Sequence, residues 1–490
     1  MVRLPFPGID CIKQLQINLL AFHPFMPYDL SITMIPENID TKGLLPPQIP
    51  HAFRLLNSLY LNGVAADMSE TGTGKTFCAS WIAKTFNCPL VVICPKVVIP
   101  SWNKVLTGDN IKAHVVINFE KLIRGNTPHL SFPNDKDDNA DCYNFSFPKN
   151  ALIVIDECHR CKSWKSKNSD MLIALKKQGY KILLLSATAA TNPLEMKAFG
   201  YATTLHNLKD YMQFVQDGGA FKNNFGGLSI DVANKKTVNF MTNIHNLLFK
   251  EYNVSSRMSR KEFGNIFPDN QIIAETFDMG ANTSKIQKVY ELMEEELARL
   301  DERSKTYSQH HFAIMMKARR HTELLKVPSM VETIEDLYIE GISPIIFVNF
   351  NDTVEAIVRL LKKNKDMDGK IGYIVGGQSD KARIRDIDDF QSDKKRIMIA
   401  NLAAGGVGVS LHDLNGKHSR HTLISPSWSA INMLQSLGRA HRANGKTPVL
   451  QKIFFAAGTI EDRICARVQS KLNNIECLND GDLSFEVKIA

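Results

Sequence analysis

The stretch Gly63-Val-Ala-Ala-Asp-Met-Ser-Glu-Thr-Gly-Thr-Gly-Lys-Thr76 decides how this chain is read. Gly63 to Ala66 has the character of a short buried strand, Ser69 to Thr76 is a loop of small residues, and a helical pattern runs on through Phe86. Strand, small-residue loop and helix in that order aim backbone N–H groups and a helix N-terminus at a phosphate. Ser69, Glu70, Thr71, Gly72, Thr73 and Gly74 then form the cradle, Lys75 reaches the outer phosphates and the Thr76 hydroxyl holds Mg2+. Ser69 stands where the strict pattern has glycine.

A second element completes that site. Asp156-Glu157-Cys158-His159 directly follows the apolar run Ala151 to Ile155, so both carboxylates sit at the C-terminal end of a strand, where parallel sheets collect their ligands. Asp156 would coordinate the metal and Glu157 would orient and deprotonate an attacking water. Cys158 and Cys161 form a Cys-x-x-Cys, but no second cysteine pair lies at a metal-site spacing, and we read their proximity as chance.

Outward from these motifs, short apolar runs alternate with helical patterns. They are Leu90 to Cys94, Ala151 to Ile155 and Ile182 to Leu185 in the first half, then Ile345 to Val348, Ile371 to Val375, Arg396 to Ala400, Thr422 to Ile424 and Val449 to Phe455. Continuous apolar strands between helices predict an α/β fold with parallel sheets covered on both faces, twice over. Between the two sets Ile286, Val289, Met293, Leu297 and Leu300 recur at helical spacing, predicting a helical insertion. The expected division is an N-terminal segment 1–40, a first lobe 41–205, a helical insertion and linker 206–335, a second lobe 336–475 and a tail 476–490, with a solvated loop at Asn134 to Asn144.

A phosphate loop and an acidic pair also suit a kinase, a GTPase or a transporter ATPase. The second set of strands separates these. Gln435-Ser-Leu-Gly-Arg-Ala-His-Arg442 presents Arg439 and Arg442 on one face of a helix. Arginines aimed at a terminal phosphate from another lobe stabilise transition-state charge only when the cleft closes. Ala403 to Leu411 follows a strand, and its glycines, Gly408 among them, allow close backbone approach to a ligand across the cleft.

The order Gln48, Ser69 to Thr76, Val92 to Lys96, Asp156 to His159, Ser186-Ala187-Thr188, Ile345 to Phe350, Ala403 to Leu411 and Gln435 to Arg442 resembles the successive motifs of superfamily 2 helicases. Within that superfamily, Cys94-Pro95-Lys96 with Ser101-Trp102, Lys162 to Ser166, Arg439 to Arg442 and Gly458 to Asp462 look like the Swi/Snf group of DNA-remodelling translocases. Glu-Thr-Gly-Thr-Gly-Lys in the phosphate loop and Ala443-Asn444-Gly445 after the last arginine depart from that group's pattern. The resemblance implies two RecA-like lobes and ATP with Mg2+ as cofactors. It also implies that Gln48 recognises adenine, that Ser186, Thr188 and Gln435 couple the ATP site to the track, and that Lys96, Lys162 and Lys165 touch nucleic acid. Lys167 joins these as a further lysine, and Arg257, Arg260 and Lys261 are a weaker second set.

The expected function is an ATP-dependent motor on nucleic acid, with duplex DNA as the track and monomeric action. The alternatives are a strand-separating DNA or RNA helicase, a transcription-associated ATPase of a virus or phage, and, outside enzymes, an ATP-gated clamp. Intact Lys75, Asp156, Glu157, Arg439 and Arg442 argue against the clamp. The formal charge of +8 suits a polyanionic partner without requiring one. Nine scattered cysteines point to reduced thiols, and no apolar run approaches the roughly 20 residues that span a bilayer, so a soluble intracellular protein with no membrane association is expected. No separate reader module is recognisable, which leaves targeting to a protein partner, to nucleic-acid structure or to the terminal segments.

Overall fold

The computed structural model describes residues 40–125, 127–132, 143–223, 227–277, 279–300, 307–405, 409–427, 429–456, 459, 461 and 488–489. The expected loop at 134–144 lies outside these up to residue 142, and Asn144 opens a two-residue strand.

In chain order the first part carries β1 (Val64–Asp67), β2 (Leu90–Cys94), β3 (Val115–Asn118), a hairpin of β4 (Leu130–Ser131) and β5 (Asn144–Phe145), β6 (Leu152–Asp156), β7 (Lys181–Leu185), a hairpin of β8 (Ala220–Lys222) and β9 (Leu228–Ile230), and β10 (Ser255–Ser256). Six of these lie side by side as β10-β1-β7-β6-β2-β3, all parallel. Their side chains alternate between two cores. Ala66, Ile93, Ile153 and Leu184 face one, while Ala65, Val92, Val154 and Leu183 face the other. Both faces are apolar and buried, which is why the strands read as unbroken hydrophobic runs.

The second part repeats the plan with β11 (Asn270–Phe277), β12 (Ser343–Val348), β13 (Ile371–Ile374), β14 (Ile397–Asn401), β15 (Arg420–Ile424), β16 (Val449–Ala456) and β17 (Lys488–Ile489), ordered β13-β14-β12-β15-β16-β11-β17. All are parallel. Phe347, Ala400 and Ile424 point to one core and Ile346, Ile399 and Leu423 to the other. The molecule is an α/β protein of two parallel sheets flanked by helices. No helix among the described residues is long and apolar enough to cross a membrane.

The stretch 206–335 is not the purely helical insertion that periodicity suggests. β10 joins the first sheet through Ser255 and Ser256 beside β1, and β11 enters the second sheet between β16 and β17. Two serines carry no hydrophobic signal, and β11 is apolar only over Ile272 to Ala274, so neither strand stands out in the sequence. The β8–β9 hairpin and the helices Tyr211–Asp217 and Lys235–Asn246 also fall in this stretch, the latter helix packing on the first lobe's core, while the helices Asn282–Ala298 and Tyr307–Ile339 pack together on the second lobe.

A buried ion pair fastens the longer helix to that lobe. The Lys326 ammonium, fully buried, lies 2.7 and 3.0 Å from the two Glu461 carboxylate oxygens and donates to the Phe454 carbonyl at 3.3 Å. Glu461 also accepts from the Ala456 amide at 2.8 Å. Removing one partner leaves the other charge buried and uncompensated, at a cost of about 3–5 kcal/mol. Lys326→Ala should therefore lower the denaturant stability of the second lobe by about that amount, and Lys326→Met combined with Glu461→Leu should recover most of it. A loss below about 1 kcal/mol in the single variant would show that the pair contributes little.

Candidate active site

The sheet order brings three motifs to one edge. β7 lies between β1 and β6, so the loops leaving their C-terminal ends are neighbours: Ser69 to Thr76 after β1, Ser186 to Thr188 after β7, and Glu157 to His159 after β6. Strand spacing of about 4.8 Å sets the phosphate loop and the acidic pair roughly 10 Å apart.

The phosphate loop is fixed from beneath. Gly63 at φ 66° ends the helix Gln48–Asn62 in a left-handed cap and lets β1 begin. At the other end of β1, the Asp67 carboxylate accepts from the Ser69 amide at 3.0 Å and lies 3.1 Å from His51 Nε2. Burial alone would raise the Asp67 carboxyl, but His51, Lys75 and Ser69 together take it below its ordinary value. The Ser69 hydroxyl accepts from the Met258 amide at 2.9 Å, so this side chain shapes the loop and does not face a ligand. Gly74 adopts φ 91°, and a Cβ there would collide with Gln48 Nε2, which donates to the Thr73 carbonyl at 2.8 Å. Gln48 is thus held against the loop. Thr73 Oγ1 donates back to the Glu70 carbonyl at 2.9 Å. The Lys75 ammonium reaches the Ser69 and Glu70 carbonyls at 2.8 and 3.0 Å. Burial lowers the Lys75 ammonium and the charges of Asp67, Glu157 and Asp156 oppose that. Thr76 follows in the first turn of the helix Lys75–Phe86.

The acidic pair is half-buried and polarised in opposite directions. Asp156 accepts from the Trp102 indole N–H at 2.8 Å. Burial, then the neighbouring Glu157 charge, pushes Asp156 up to about 6. Burial acts on Glu157 in the same direction, but the His159 hydrogen bond and charge, with Arg439 and Lys75, carry it down to about 2. Glu157 occupies the left-handed region at φ 56°, a conformation costing on the order of 1–2 kcal/mol for a residue with a side chain. Its carboxylate lies 3.3 Å from His159 Nδ1, which is also 3.3 Å from the Ser186 hydroxyl. The Cys158 and Cys161 thiols are buried and shifted upward by that burial, and no group of metal-binding side chains occurs among the described residues.

The second lobe closes on this edge through the helix Ala430–Ala440, whose N-terminus is capped by the Ser429 side chain accepting from the Asn432 amide. Gln435 Nε2 donates to Glu157 at 3.1 Å across the cleft. A Cβ on Gly438 would strike the Thr71 hydroxyl, so this helix lies directly on the phosphate loop. Arg439 and Arg442 both donate to the Val409 carbonyl, at 3.4 and 3.1 Å. Burial first, then Arg439 and Arg260, draws Arg442 down to about 9, which leaves it a cation at neutral pH. Gly408 lies outside the described residues.

The lysines expected on nucleic acid fall elsewhere on the surface. Lys96 reaches Asp380 of the second lobe at 2.8 Å, Lys162 pairs with Glu195 at 3.2 Å, and the Lys165 ammonium sits 4.7 Å above the Trp164 ring. Lys167 opens the helix Lys167–Lys177 and is exposed, as is Lys261. Ser186 and Thr188 are buried, with the Thr188 amide donating to the Ser186 hydroxyl at 3.1 Å. Arg257 and Arg260 require a correction. Arg257 donates to the Met68 carbonyl at 2.9 Å, and Arg260 to the Thr71 carbonyl at 3.0 Å, so both belong to the phosphate loop and not to an outer track. Sequence reading also missed His51 and Asp67. His51 sits three residues after Gln48 on one helix face, a spacing that carried the signal.

A family model described as the C-terminal domain on Strawberry notch homologue matches residues 375–488. A protein of Acanthamoeba polyphaga mimivirus, named provisionally as an ATP-dependent RNA helicase, is 33% identical over 473 residues, covering 91% of this chain and 85% of the relative. The chain belongs to the superfamily 2 helicase-like ATPases. It is accordingly an ATP-hydrolysing enzyme of helicase type. The DNA repair and recombination protein RAD54-like of Drosophila ananassae is 27% identical over 146 residues, 29% of this chain and 17% of that protein. Among solved structures, a variant of S. cerevisiae Dbp5 bound to RNA and ADP BeF3 matches with TM-score 0.45 and 13% identity over 89% of this chain and 94% of that one.

In this helicase-like ATPase, His441 ties the lobes by a tautomer that can be read from its partners. Arg260 can only donate, so His441 Nδ1, 3.0 Å away, accepts; the Pro268 carbonyl can only accept, so Nε2, at 2.8 Å, carries the proton. Burial and then Arg260 take His441 down to about 4. A histidine depressed in the folded state contributes stability that is present above its unfolded value of about 6.5 and is lost as pH falls toward the folded value. Thermal midpoints measured from pH 7.5 down to pH 5 should fall more steeply for wild type than for His441→Asn. Parallel curves would remove His441 from the acid sensitivity.

Proposed function

We propose that this chain couples ATP hydrolysis to movement along nucleic acid, as a monomer working on duplex DNA to remodel or displace what is bound there. The observation that carries the reading is the Gln435 to Glu157 hydrogen bond, which joins the acidic pair of one lobe to the arginine helix of the other. Two lobes that complete one catalytic set make turnover depend on their relative position. Partial similarity to the RAD54-like protein and the Trp102 to Asp156 bond, from the Swi/Snf-like Ser101-Trp102 pair, support duplex DNA. The mimivirus relative, similar over 91% of this chain, favours strand separation on RNA as the second reading. Targeting would fall to a protein partner, and the lobes would divide between Ser256 and Asn270, after the last strand of one sheet and before the first of the other.

The residues suit ATP and Mg2+. Two adjacent half-buried carboxyls, one raised to about 6, favour a nearby cation, and the buried Arg442 Nε has no hydrogen-bond partner among the described residues, as suits a phosphate oxygen. Thr76 and Asp156 would hold Mg2+, which would supply positive charge to offset that of the outer phosphates. Lys75 and the amides of Gly72 to Thr76 would bind the β- and γ-phosphates, with Gln48 at the adenine. Glu157, kept ionised by His159 and Arg439, would orient a water and accept its proton as the water oxygen bonds to the γ-phosphorus and the bond to ADP breaks. Arg439 and Arg442 would stabilise the charge that develops. Ser186, Thr188 and Gln435 would relay the change to the track, with Lys96, Lys162 and Lys165 as candidate backbone contacts.

ATPase rates measured with no nucleic acid, duplex DNA, single-stranded DNA and RNA separate the readings. Stimulation mainly by duplex DNA is expected; preference for RNA or single strands would move the helicase reading ahead. Glu157→Gln and Lys75→Ala should abolish turnover, the first while retaining ATP binding. Arg439→Ala should reduce kcat on the order of a thousandfold. Normal turnover in any of the three would refute its assigned role.

A further inference from the structure

Arg260 is the residue whose position the catalytic assignment leaves unexplained. It follows Ser259, the first residue of a capping box in which the Ser259 amide donates to Glu262 at 2.7 Å, so the backbone that presents it is locally fixed. Its guanidinium lies half-buried between the lobes and is used on two edges. One edge holds the phosphate loop: Nε donates to the Thr71 carbonyl at 3.0 Å and Nη2 to the Thr71 hydroxyl. The other edge holds the second lobe, with Nη1 donating to His441 Nδ1 at 3.0 Å. Glu70 supplies the counter-charge, accepting from the Arg260 amide at 3.2 Å and lying 3.5 Å from Nε.

The two gripped residues belong to the moving parts of the reaction. Thr71 is one residue before the first glycine of the phosphate loop, and His441 lies between Arg439 and Arg442. Gly438 rests on Thr71, and its missing side chain leaves the Arg260 Nη2 just 3.2 Å from where a Cβ would stand. A change in the Thr71 carbonyl or hydroxyl therefore alters the fork that holds His441. A planar guanidinium transmits such a change because its donors are rigidly linked.

We propose that Arg260 is a positioning residue that couples the state of the phosphate loop to docking of the arginine helix, acting through Thr71 on one side and His441 on the other. The coupling rests on the ATPase reading of this site. Its signature is that loss of Arg260 separates nucleotide binding from lobe docking. ATP still enters the first lobe, but Arg439 and Arg442 are no longer brought to it, so kcat falls while KM changes little.

The test is hydrogen–deuterium exchange of the full chain with and without Mg2+ and a non-hydrolysable ATP analogue, alongside ATPase kinetics. In wild type, the analogue should slow exchange both at Lys75 to Ser80 and at Ser436 to Ala440. In Arg260→Ala, protection at Lys75 to Ser80 should persist while that at Ser436 to Ala440 falls by about tenfold, with kcat down by about tenfold or more and KM within about threefold. Arg260→Lys keeps the charge without the fork and should behave like the alanine variant. His441→Ala, made from the other lobe, should give the same split, and the double variant should be no worse than the poorer single one. Wild-type protection of Ser436 to Ala440 in either single variant overturns the proposal. So does loss of protection at both segments, which would mean that Arg260 merely builds the ATP site. Absence of protection anywhere in wild type would overturn the ATP-site reading itself.

Discussion

The structure depends on charges at the base of the cleft that neither lobe satisfies alone. Asp156 and Glu157 are half-buried side by side, where burial and the Glu157 charge raise Asp156 and burial alone would raise Glu157 too. Arg439 is buried and Arg442 half-buried, and the Arg439 charge depresses Arg442. The first lobe answers Glu157 in part through His159 and Lys75, Arg439 adds to this from the facing element, and Gln435 joins the two. Like charges held together in low dielectric are costly, and the opposing set relieves them only when the lobes meet. A polyphosphate with its cation would suit this place, because it would offer anionic oxygens to the arginines and positive charge to the carboxylates.

That requirement explains why so many positions near the cleft tolerate no side chain or an unfavourable one. Gly74 and Gly438 are glycines where a Cβ would meet Gln48 and Thr71, and Glu157 accepts a left-handed backbone to aim its carboxylate. Close approach of backbone to backbone is what lets amides and guanidinium groups converge on one ligand. The sheets supply the opposite quality. Their strands are apolar on both faces and anchor each motif loop at a strand end.

Much of this was legible because motif and scaffold share one stretch of chain. The run Gly63 to Thr76 contains its strand, its loop and the start of its helix, and Ala151 to His159 contains strand and acids together. What escaped is what depends on partners distant in sequence. Val254 to Met258 zips along β1 through backbone bonds, Met68 to Ser256 at 2.9 Å and Glu70 to Met258 at 3.1 Å, and backbone bonding leaves no trace in side-chain pattern. Arg257 and Arg260 look like any basic surface pair until that zipper carries them to the phosphate loop. His51 was hidden for a related reason: its partner Ser256 is 205 residues away.

The contrast between the lobes' interiors and their junction bears on what the molecule can do. Each of the four hydrophobic cores belongs to one lobe, and Ala443 is the one second-lobe residue packed against a first-lobe core among the described residues. The junction is instead held by polar contacts: Gln435 with Glu157, Arg260 with His441, Lys96 with Asp380 and the Asn444 amide with the Ile266 carbonyl. Separating apolar cores would cost about 25 cal/mol for each Å2 exposed, whereas polar groups exchange partners with water at a net cost near 1 kcal/mol each. An interface of the second kind opens and closes within the free energy of one ATP-binding event, and a ligand can shift such an equilibrium only through differential contacts in the two states. On the proposed reading the arginines and the Arg260 fork would supply those contacts, so the residues that would bind phosphate would also set which lobe arrangement is favoured.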